Sequence, residues 1–537
     1  MDAAVPQSEA AAAPPAPPPG AQGASATIAK NSLWLLIDNV AGMITSFTCS
    51  ILVARALGPD RMGDYNYVLW FAATLKMVSD VAIPATFRKF AAEFMGRGDY
   101  GTVKTMVRSV LRLQLKLTVV GAAIGLAIVF LFFRPEQRTL ATLAVLTIVP
   151  ALLLSVPAGV LYGTENLRYN VMGSVSAMAV NLCGVTMSVI AGWGLVGVVA
   201  SLLVSRVADC TLRFLMFRIK SREMPGTAQD QLEPVLRKRL VHFAALQLVN
   251  SLLYTLLFDR MEVFFLKGLA PTREIAFFSI SFTLVQYLLI VPQTLAGSAS
   301  VTIMVKQGQD PREAARIAGS ATWFTILFGA PVLFGIAAVG GPLLSLLYGA
   351  KYLPAIPVLT VLAFFAVSLA SSQSAQHLLV AAERQVVYIL LLLLGAAVDM
   401  AGCFLLIPKF GAVGAAYAKG ISQAIAAAGF LLFMVTRFNV RLPVDRIFKL
   451  IACCTAMYVA VHLVVMRVPP ILGLLVGIPL GVAVFVPLMR WLRCLDKVDR
   501  DRLRGIASML PGPARQPYRG LVDLLVPARR VEAEVQT

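Results

Sequence analysis

Leu57-Gly58-Pro59-Asp60-Arg61-Met62-Gly63-Asp64-Tyr65 stands between two long apolar runs, and the chain returns to the same arrangement later. Leu269-Ala270-Pro271 answers it at an offset of 212 (57 to 269). With one extra residue, Ala276 and Phe278 follow and lead into another apolar run. The same offset pairs Asp38 with Asn250 and Arg55 with Lys267. Glu165 and Asn181 lie 16 residues apart (165 to 181), as do Glu383 and Asp399. Gly194-Leu195-Val196-Gly197 is then answered by Gly411-Ala412-Val413-Gly414. Apolar helices resemble one another cheaply, whereas shared punctuation in loops at nearly constant spacing marks a duplication. The pattern predicts two homologous lobes of membrane helices, the usual plan of a secondary transporter with its substrate path between the lobes.

Composition agrees. Hydrophobic residues make up 58% and charged residues 14% of the 537, outside the range of ordinary soluble proteins. Apolar runs of about 20 residues, each long enough to cross a bilayer core of roughly 30 Å, recur along the chain. They do not alternate, so helices rather than a barrel are implied. The reading gives an all-α, polytopic membrane protein of about 14 transmembrane helices, the first over 32–57, the seventh over 240–268 and the last over 470–492. The expected divisions are a disordered Ala/Pro-rich tail (1–28) and an N-terminal lobe of helices 1–6 (29–217). A basic linker (218–239) leads to a C-terminal lobe of helices 7–12 (240–437), an added helix pair (446–492) and a basic tail (493–537).

The net charge of +19 is placed for a membrane, not for nucleic acid. Connections after even-numbered spans are rich in Lys and Arg: Arg88, Lys89, Arg97, Lys104, Arg108 and Arg112, then Arg218, Lys220, Arg222, Arg237, Lys238 and Arg239. Arg437, Arg441, Arg446 and Lys449 continue the series. Connections after odd-numbered spans hold little, such as Arg61, Lys351, Lys409 and Arg467. This positive-inside bias puts both termini in the cytoplasm. The N-terminal tract has neither a basic start nor an apolar core and is no signal peptide. In the basic C-terminal tail, Leu521, Val522, Leu524 and Leu525 have the makings of a short surface helix, against a solvated tail.

Several chemistries lack their residues. Gly96 to Gly101 has the glycines of a phosphate loop, but Thr102 stands where the lysine belongs, which argues against ATP hydrolysis. Seven cysteines show no metal-ligand spacing and read as small buried residues. His242, His377 and His462 fall on different spans and read as packed helix residues. Nothing calls for a metal or another cofactor. No outer connection is long enough for an extracytoplasmic catalytic domain, which disfavours a glycan polymerase or ligase and an enzyme in general.

Four stretches carry a resemblance. The chain from Leu57 to Tyr65 resembles the polysaccharide-biosynthesis proteins, flippases for lipid-linked oligosaccharide repeat units in the multidrug/oligosaccharidyl-lipid/polysaccharide exporter superfamily. Ala91-Ala92-Glu93-Phe94-Met95-Gly96-Arg97-Gly98-Asp99 is similar to that family's amphipathic loop after the second helix. Leu347-Tyr348-Gly349-Ala350-Lys351-Tyr352-Leu353-Pro354-Ala355 is similar to its entry into helix ten, and Phe410-Gly411-Ala412-Val413-Gly414-Ala415-Ala416 to its entry into helix twelve. The resemblance covers about 30–495. It implies transfer of an undecaprenyl-pyrophosphate-type lipid-linked oligosaccharide from the cytoplasmic to the outer leaflet of the bacterial inner membrane. A polysaccharide polymerase or co-polymerase is then a candidate partner. Lipid II flippases are the first alternative, but their Arg-Asp pair in the first helix is replaced here by Cys49-Ser50. Multidrug exporters of the superfamily lack the four stretches.

Ionisable residues inside spans cost at least about 2.5 kcal/mol each at helix centres and usually face the bundle interior. Lys76 and Asp80 share a helix face as a self-neutralising or functional pair, and with Asp38 they have the depth to line one cytoplasmic cavity. Asp399 and Lys419 lie at matching depths of consecutive helices, as a salt bridge would require. Asp259 and Glu262 share a face of the seventh span with Arg260 turned about 100° away, the best candidate for substrate or ion contact. Arg55 and Lys267 sit near the outer ends of spans one and seven, placed either to snorkel or to bind pyrophosphate. Arg260, Arg55, Lys267, Lys76 and Lys419 are thus the candidate substrate contacts, and Asp259, Glu262, Asp38, Asp80 and Asp399 the candidate coupling carboxylates.

Overall fold

The computed structural model describes residues 21–80, 83–163, 167–223, 232–496, 499–501, 503, 504 and 516. Helices α1 (Ala21–Asp80), α2 (Ile83–Gly96), α3 (Tyr100–Phe132), α4 (Pro135–Leu153), α5 (Ser155–Gly163), α6 (Leu167–Ile190) and α7 (Gly194–Glu223) make the first half. Then come α8 (Pro234–Phe258), α9 (Glu262–Leu269), α10 (Thr272–Gln309) and α11 (Pro311–Tyr348). A 3-10 turn (Ala350–Ala355) leads to α12 (Ile356–Ala381) and α13 (Gln385–Arg437), and α14 (Val444–Val465) and α15 (Pro470–Trp491) complete the bundle. Among the described residues there is no strand, and 11 helical segments are long and apolar enough to cross a membrane. The protein is an all-α polytopic bundle.

The two longest helices each bend at one non-helical residue: Gly58 in α1 (φ 76°, ψ 175°) and Gly411 in α13 (φ 55°, ψ −130°). The two limbs of α13 press together, so that a Cβ on Gly402 would lie 2.9 Å from that of Ala418. The seventh span departs from expectation. Instead of one helix over 240–268, α8 stops at Phe258 and α9 starts at Glu262.

Two pairs of positions fold alike in the two halves. Gly194 and Gly411, which open the two Gly-x-x-Gly stretches, both take positive φ (64° and 55°). Asp99 and Asp310, 211 apart (99 to 310), are both helix N-caps: Asp99 accepts from the Thr102 N–H, and Asp310 from those of Arg312 and Glu313.

The core is unequal between the halves. One large buried cluster is drawn mostly from α9–α13, with Cys49, Val53, Ala54 and Met62 contributed by α1. Its helices approach closely through small residues such as Ala337, Ala363, Ala366, Ala370 and Ala418, the usual means of helix packing where lipid removes the hydrophobic drive. The first half has two smaller clusters, one around Val68, Val145 and Leu152, the other around Phe87, Phe90 and Met106. α14 and α15 pack on α11 through Cys453, Met457 and Val461 against Trp323, Ala330 and Phe334.

The repeated punctuation packs against itself. A Cβ on Gly63 would lie 2.0 Å from the Thr272 carbonyl oxygen, a separation that glycine alone permits. Asp64 pairs with Lys267 at 3.2 Å. Arg55 Nε donates to the Leu347 carbonyl at 2.8 Å, its Nη2 donates to that of Leu346, and Tyr352 Oη donates to the Ala54 carbonyl at 3.1 Å. This seam joins the halves at one end of the bundle. At the opposite end α2 meets α8, with Arg239 on Glu93 at 3.1 Å and the Lys89 ammonium 4.0 Å over the Phe243 ring.

The tail expected over 1–28 falls largely outside the described residues, and α1 already begins at Ala21. The linker expected over 218–239 is narrowed, since α7 runs to Glu223 and α8 starts at Pro234, with 224–231 outside the described residues. Leu521, Val522, Leu524 and Leu525 lie outside them as well, as do Glu165 and the side chain of Asn250.

Candidate functional site in the broken seventh span

Asp259, Arg260 and Glu262 crowd three charges into four residues of an otherwise apolar span, and the helix opens at that place. Asp259 takes an extended conformation (φ −98°, ψ −168°) while its N–H still bonds the Thr255 carbonyl at 3.0 Å. In an unbroken helix the Asp259 carbonyl would accept from the Val263 N–H; here that N–H turns to Arg260 O at 3.2 Å. The freed carbonyl of Asp259 receives Lys419 Nζ instead. Unwound backbone at membrane depth persists only where protein or a cavity satisfies it, and an ammonium does so here.

Lys419 comes from the second limb of α13 and is fully buried. Its Nζ lies 3.0 Å from Glu262 Oε1 and 3.9 Å from Asp399 Oδ2. Glu262 is 0% exposed, and its Oε2, like Asp399 Oδ1, is buried without a hydrogen-bond partner among the described residues. Two buried carboxylates therefore share one cation. A buried charge missing its partner costs several kcal/mol, so Lys419 holds this cluster together, which has one carboxyl more than it has cations.

Arg260 points elsewhere. Its Nη2 donates to Thr283 Oγ1 on α10 at 3.0 Å, and its guanidinium lies 5.4 Å over the Phe282 ring. Among the described residues it forms no ion pair, so Lys419 and not Arg260 neutralises Glu262. The expectation of a common helix face for Asp259 and Glu262 needs correction for the same reason: the break separates them, leaving Asp259 exposed and Glu262 buried.

The other candidate residues are placed differently. The expected pairing of Asp399 with Lys419 is present, with Glu262 as an unforeseen third member. Lys76 and Asp80 pair at 3.0 Å, and Asp80 also accepts from Ser155 Oγ at 3.0 Å. Asp38 accepts from Ser174 Oγ on α6, so it is anchored to a helix other than the one that holds Asp80. Arg55 and Lys267 are engaged in the seam rather than directed at headgroups. The groups that charge counting passed over are neutral. Tyr254, Gln293, Gln373, Gln376, His377 and Tyr388 line a cavity of about 350 Å³ among α8, α10, α12 and α13. A signal for them existed, since Gln373 and Gln376 are amides three residues apart within an apolar span.

Residues 28–306, just over half of the chain, match the family of polysaccharide biosynthesis proteins. The chain belongs to that family. A comparison with curated proteins gave no match. Among solved structures, the chain is similar to a lipid II flippase, MurJ, in an inward closed conformation, with 14% identity and a TM-score of 0.68 over 85% of this chain and 97% of that one. An inward-facing multidrug resistance MATE transporter of the MOP superfamily is similar at 15% identity and a TM-score of 0.64, over 76% and 98%. A MOP-superfamily transporter from Pyrococcus furiosus, described as having a binding pocket of reverse polarity, follows at 16% identity and 0.55, over 77% and 95%. This family member thus has the fold of the MOP-superfamily transporters.

Proposed function

We propose that the protein moves a lipid-linked oligosaccharide repeat unit, carried on a polyprenyl pyrophosphate, from the cytoplasmic to the outer leaflet. Its two halves alternate in access. α1 and α13 count as two crossings each and the α8–α9 pair as one, which makes fourteen crossings and returns both termini to the cytoplasm. The single observation that carries the reading is Arg260, held at a break in a membrane helix without a carboxylate ion-pair partner among the described residues. A pyrophosphate offers clustered oxygens to the planar fork of a guanidinium, and a low-dielectric site strengthens that pairing. Family membership supports a glycan as the cargo. The extra carboxyl in the cluster of Glu262, Asp399 and Lys419 suits a coupling cation or proton that resets the halves.

The test is made in cells lacking the native copy, complemented at matched expression. Arg260→Gln is expected to stay in the membrane yet impair surface glycan, with lipid-linked units accumulating on the inner leaflet. Full export by Arg260→Gln would refute the assignment.

A further inference from the structure

The cavity among α8, α10, α12 and α13 has a composition unlike that of the charged break beside it. Its polar lining is Tyr254, Gln293, Gln373, Gln376, His377 and Tyr388, with no Lys, Arg, Asp or Glu among the lining residues. Its volume of about 350 Å³ falls at the lower end of small-molecule sites, roughly 300–1,000 Å³. Neutral amides discriminate poorly among anions but well among vicinal hydroxyls, because each offers a donor and an acceptor in one plane. Gln376 is held in place, its Nε2 donating to Ser372 Oγ at 3.0 Å. Tyrosine rings add flat apolar faces of the kind on which the C–H side of a pyranose ring packs, with a hydroxyl at the edge.

Position completes the argument. Tyr254 precedes Asp259 by five residues on α8, and Gln293 follows Thr283 by ten on α10. At 1.5 Å per residue the cavity lies about 8–15 Å from the Arg260 site, along the helices that hold Arg260 and its partner Thr283. Gln373, Gln376 and His377 belong to the last turns of α12, and Tyr388 to the first turn of α13, so the cavity lies toward the bundle end opposite the seam. We propose that this cavity is the sugar subsite, which takes a neutral sugar of the lipid-linked substrate while Arg260 holds its pyrophosphate. The inference rests on the lipid-linked-glycan reading above and adds where, and by what chemistry, the saccharide is recognised.

The full-length protein in lipid nanodiscs is titrated with two probes: a polyprenyl pyrophosphate bearing one N-acetylglucosamine, and the same lipid pyrophosphate without sugar. The glycosylated lipid is expected to bind about tenfold tighter, as two or three net hydrogen bonds would give. Gln373→Leu combined with Gln376→Leu should remove that preference while leaving affinity for the bare lipid within about twofold, which also reports that the protein is folded. If the pair also loses the bare lipid, Tyr254→Leu is read instead and is expected to lose the same preference. Equal binding of both lipids by the wild type overturns the sugar subsite alone. So does a preference that persists in the variants. Binding of neither lipid would bring down the lipid-linked-glycan reading itself, and the subsite with it.

Discussion

The limb of α1 that carries Asp38 and the α8–α9 pair answer each other in the sequence repeat, but they handle polar residues in opposite ways. The first stays helical, and Asp38 has a hydroxyl, Ser174, as its partner. The second breaks at 259–261 and gathers a cation and a carboxylate from α13 around the gap. Packing follows the same division, with one large core around α9–α13 and two small clusters in the first half. The C-terminal half therefore gathers fully buried charge from two elements around a break, whereas the buried Asp80 and Asp209 of the first half are each paired within their own helix, with Lys76 and Arg213. The densely packed half can hold that charge because its neighbours fix every partner in place.

The sharpest way to break this comparison is Lys419→Met. It leaves Glu262, Asp399 and the Asp259 carbonyl without their cation, and should cost about 3–5 kcal/mol, read as a large fall in melting temperature in detergent. Adding Glu262→Gln should recover much of the loss. Asp38→Asn, the first-half control, should cost no more than about 1 kcal/mol, as for one altered hydrogen bond. Equal losses from the two single variants would erase the asymmetry.

Transport separates the roles of the charges within the broken span. Arg260→Lys keeps the charge but loses the planar fork, so export should fall by about tenfold at unchanged protein level, as should that of Arg260→Gln. Near-normal export by Arg260→Lys would mean that only charge matters there.

The seam offers a smaller effect. Gly63→Ala drives a methyl group into the Thr272 carbonyl and should cost about 1–3 kcal/mol. A Cβ on Gly268 meets nothing within 4 Å, so Gly268→Ala should leave stability unchanged or slightly raised. Comparable losses at both would show that the seam does not close as described. The smallest effects belong to the matched caps. Asp99→Ala and Asp310→Ala should each cost about 1 kcal/mol and leave export intact. Bonds from Thr102 hold the Asp99 carboxyl below its ordinary range. Its contribution is therefore complete at neutral pH and fades as the pH falls through the folded-state value, a loss that Asp99→Ala should abolish.

Most of the frame was legible because lipid leaves the chain few options. Continuous apolar runs must be helices, and Gly58, Gly194 and Gly411 stand where the backbone has to turn. The pairing of Asp399 with Lys419 was legible from helix rise alone. The break at 259–261 was not, since three charges within four residues are compatible with a continuous helix until a distant lysine claims the freed carbonyl. Glu262 joined that lysine for the same reason, as partners 157 residues apart (262 to 419) leave no local trace. Arg55 and Lys267 were correctly placed at one end of the bundle, but their seam partners, Leu346, Leu347 and Asp64, depend on how the halves dock.

The seam is built on main-chain atoms: the carbonyls of Ala54, Thr272, Leu346 and Leu347 receive or abut Tyr352, Gly63 and Arg55. Every residue has a carbonyl, so these main-chain acceptors cannot be lost by substitution. Inheritance has few side-chain choices to guard there: a hydroxyl at 352, a guanidinium at 55, the lack of a side chain at 63 and the pair of Asp64 with Lys267. Descendants of this gene are free to vary the surrounding loops while this closure is kept.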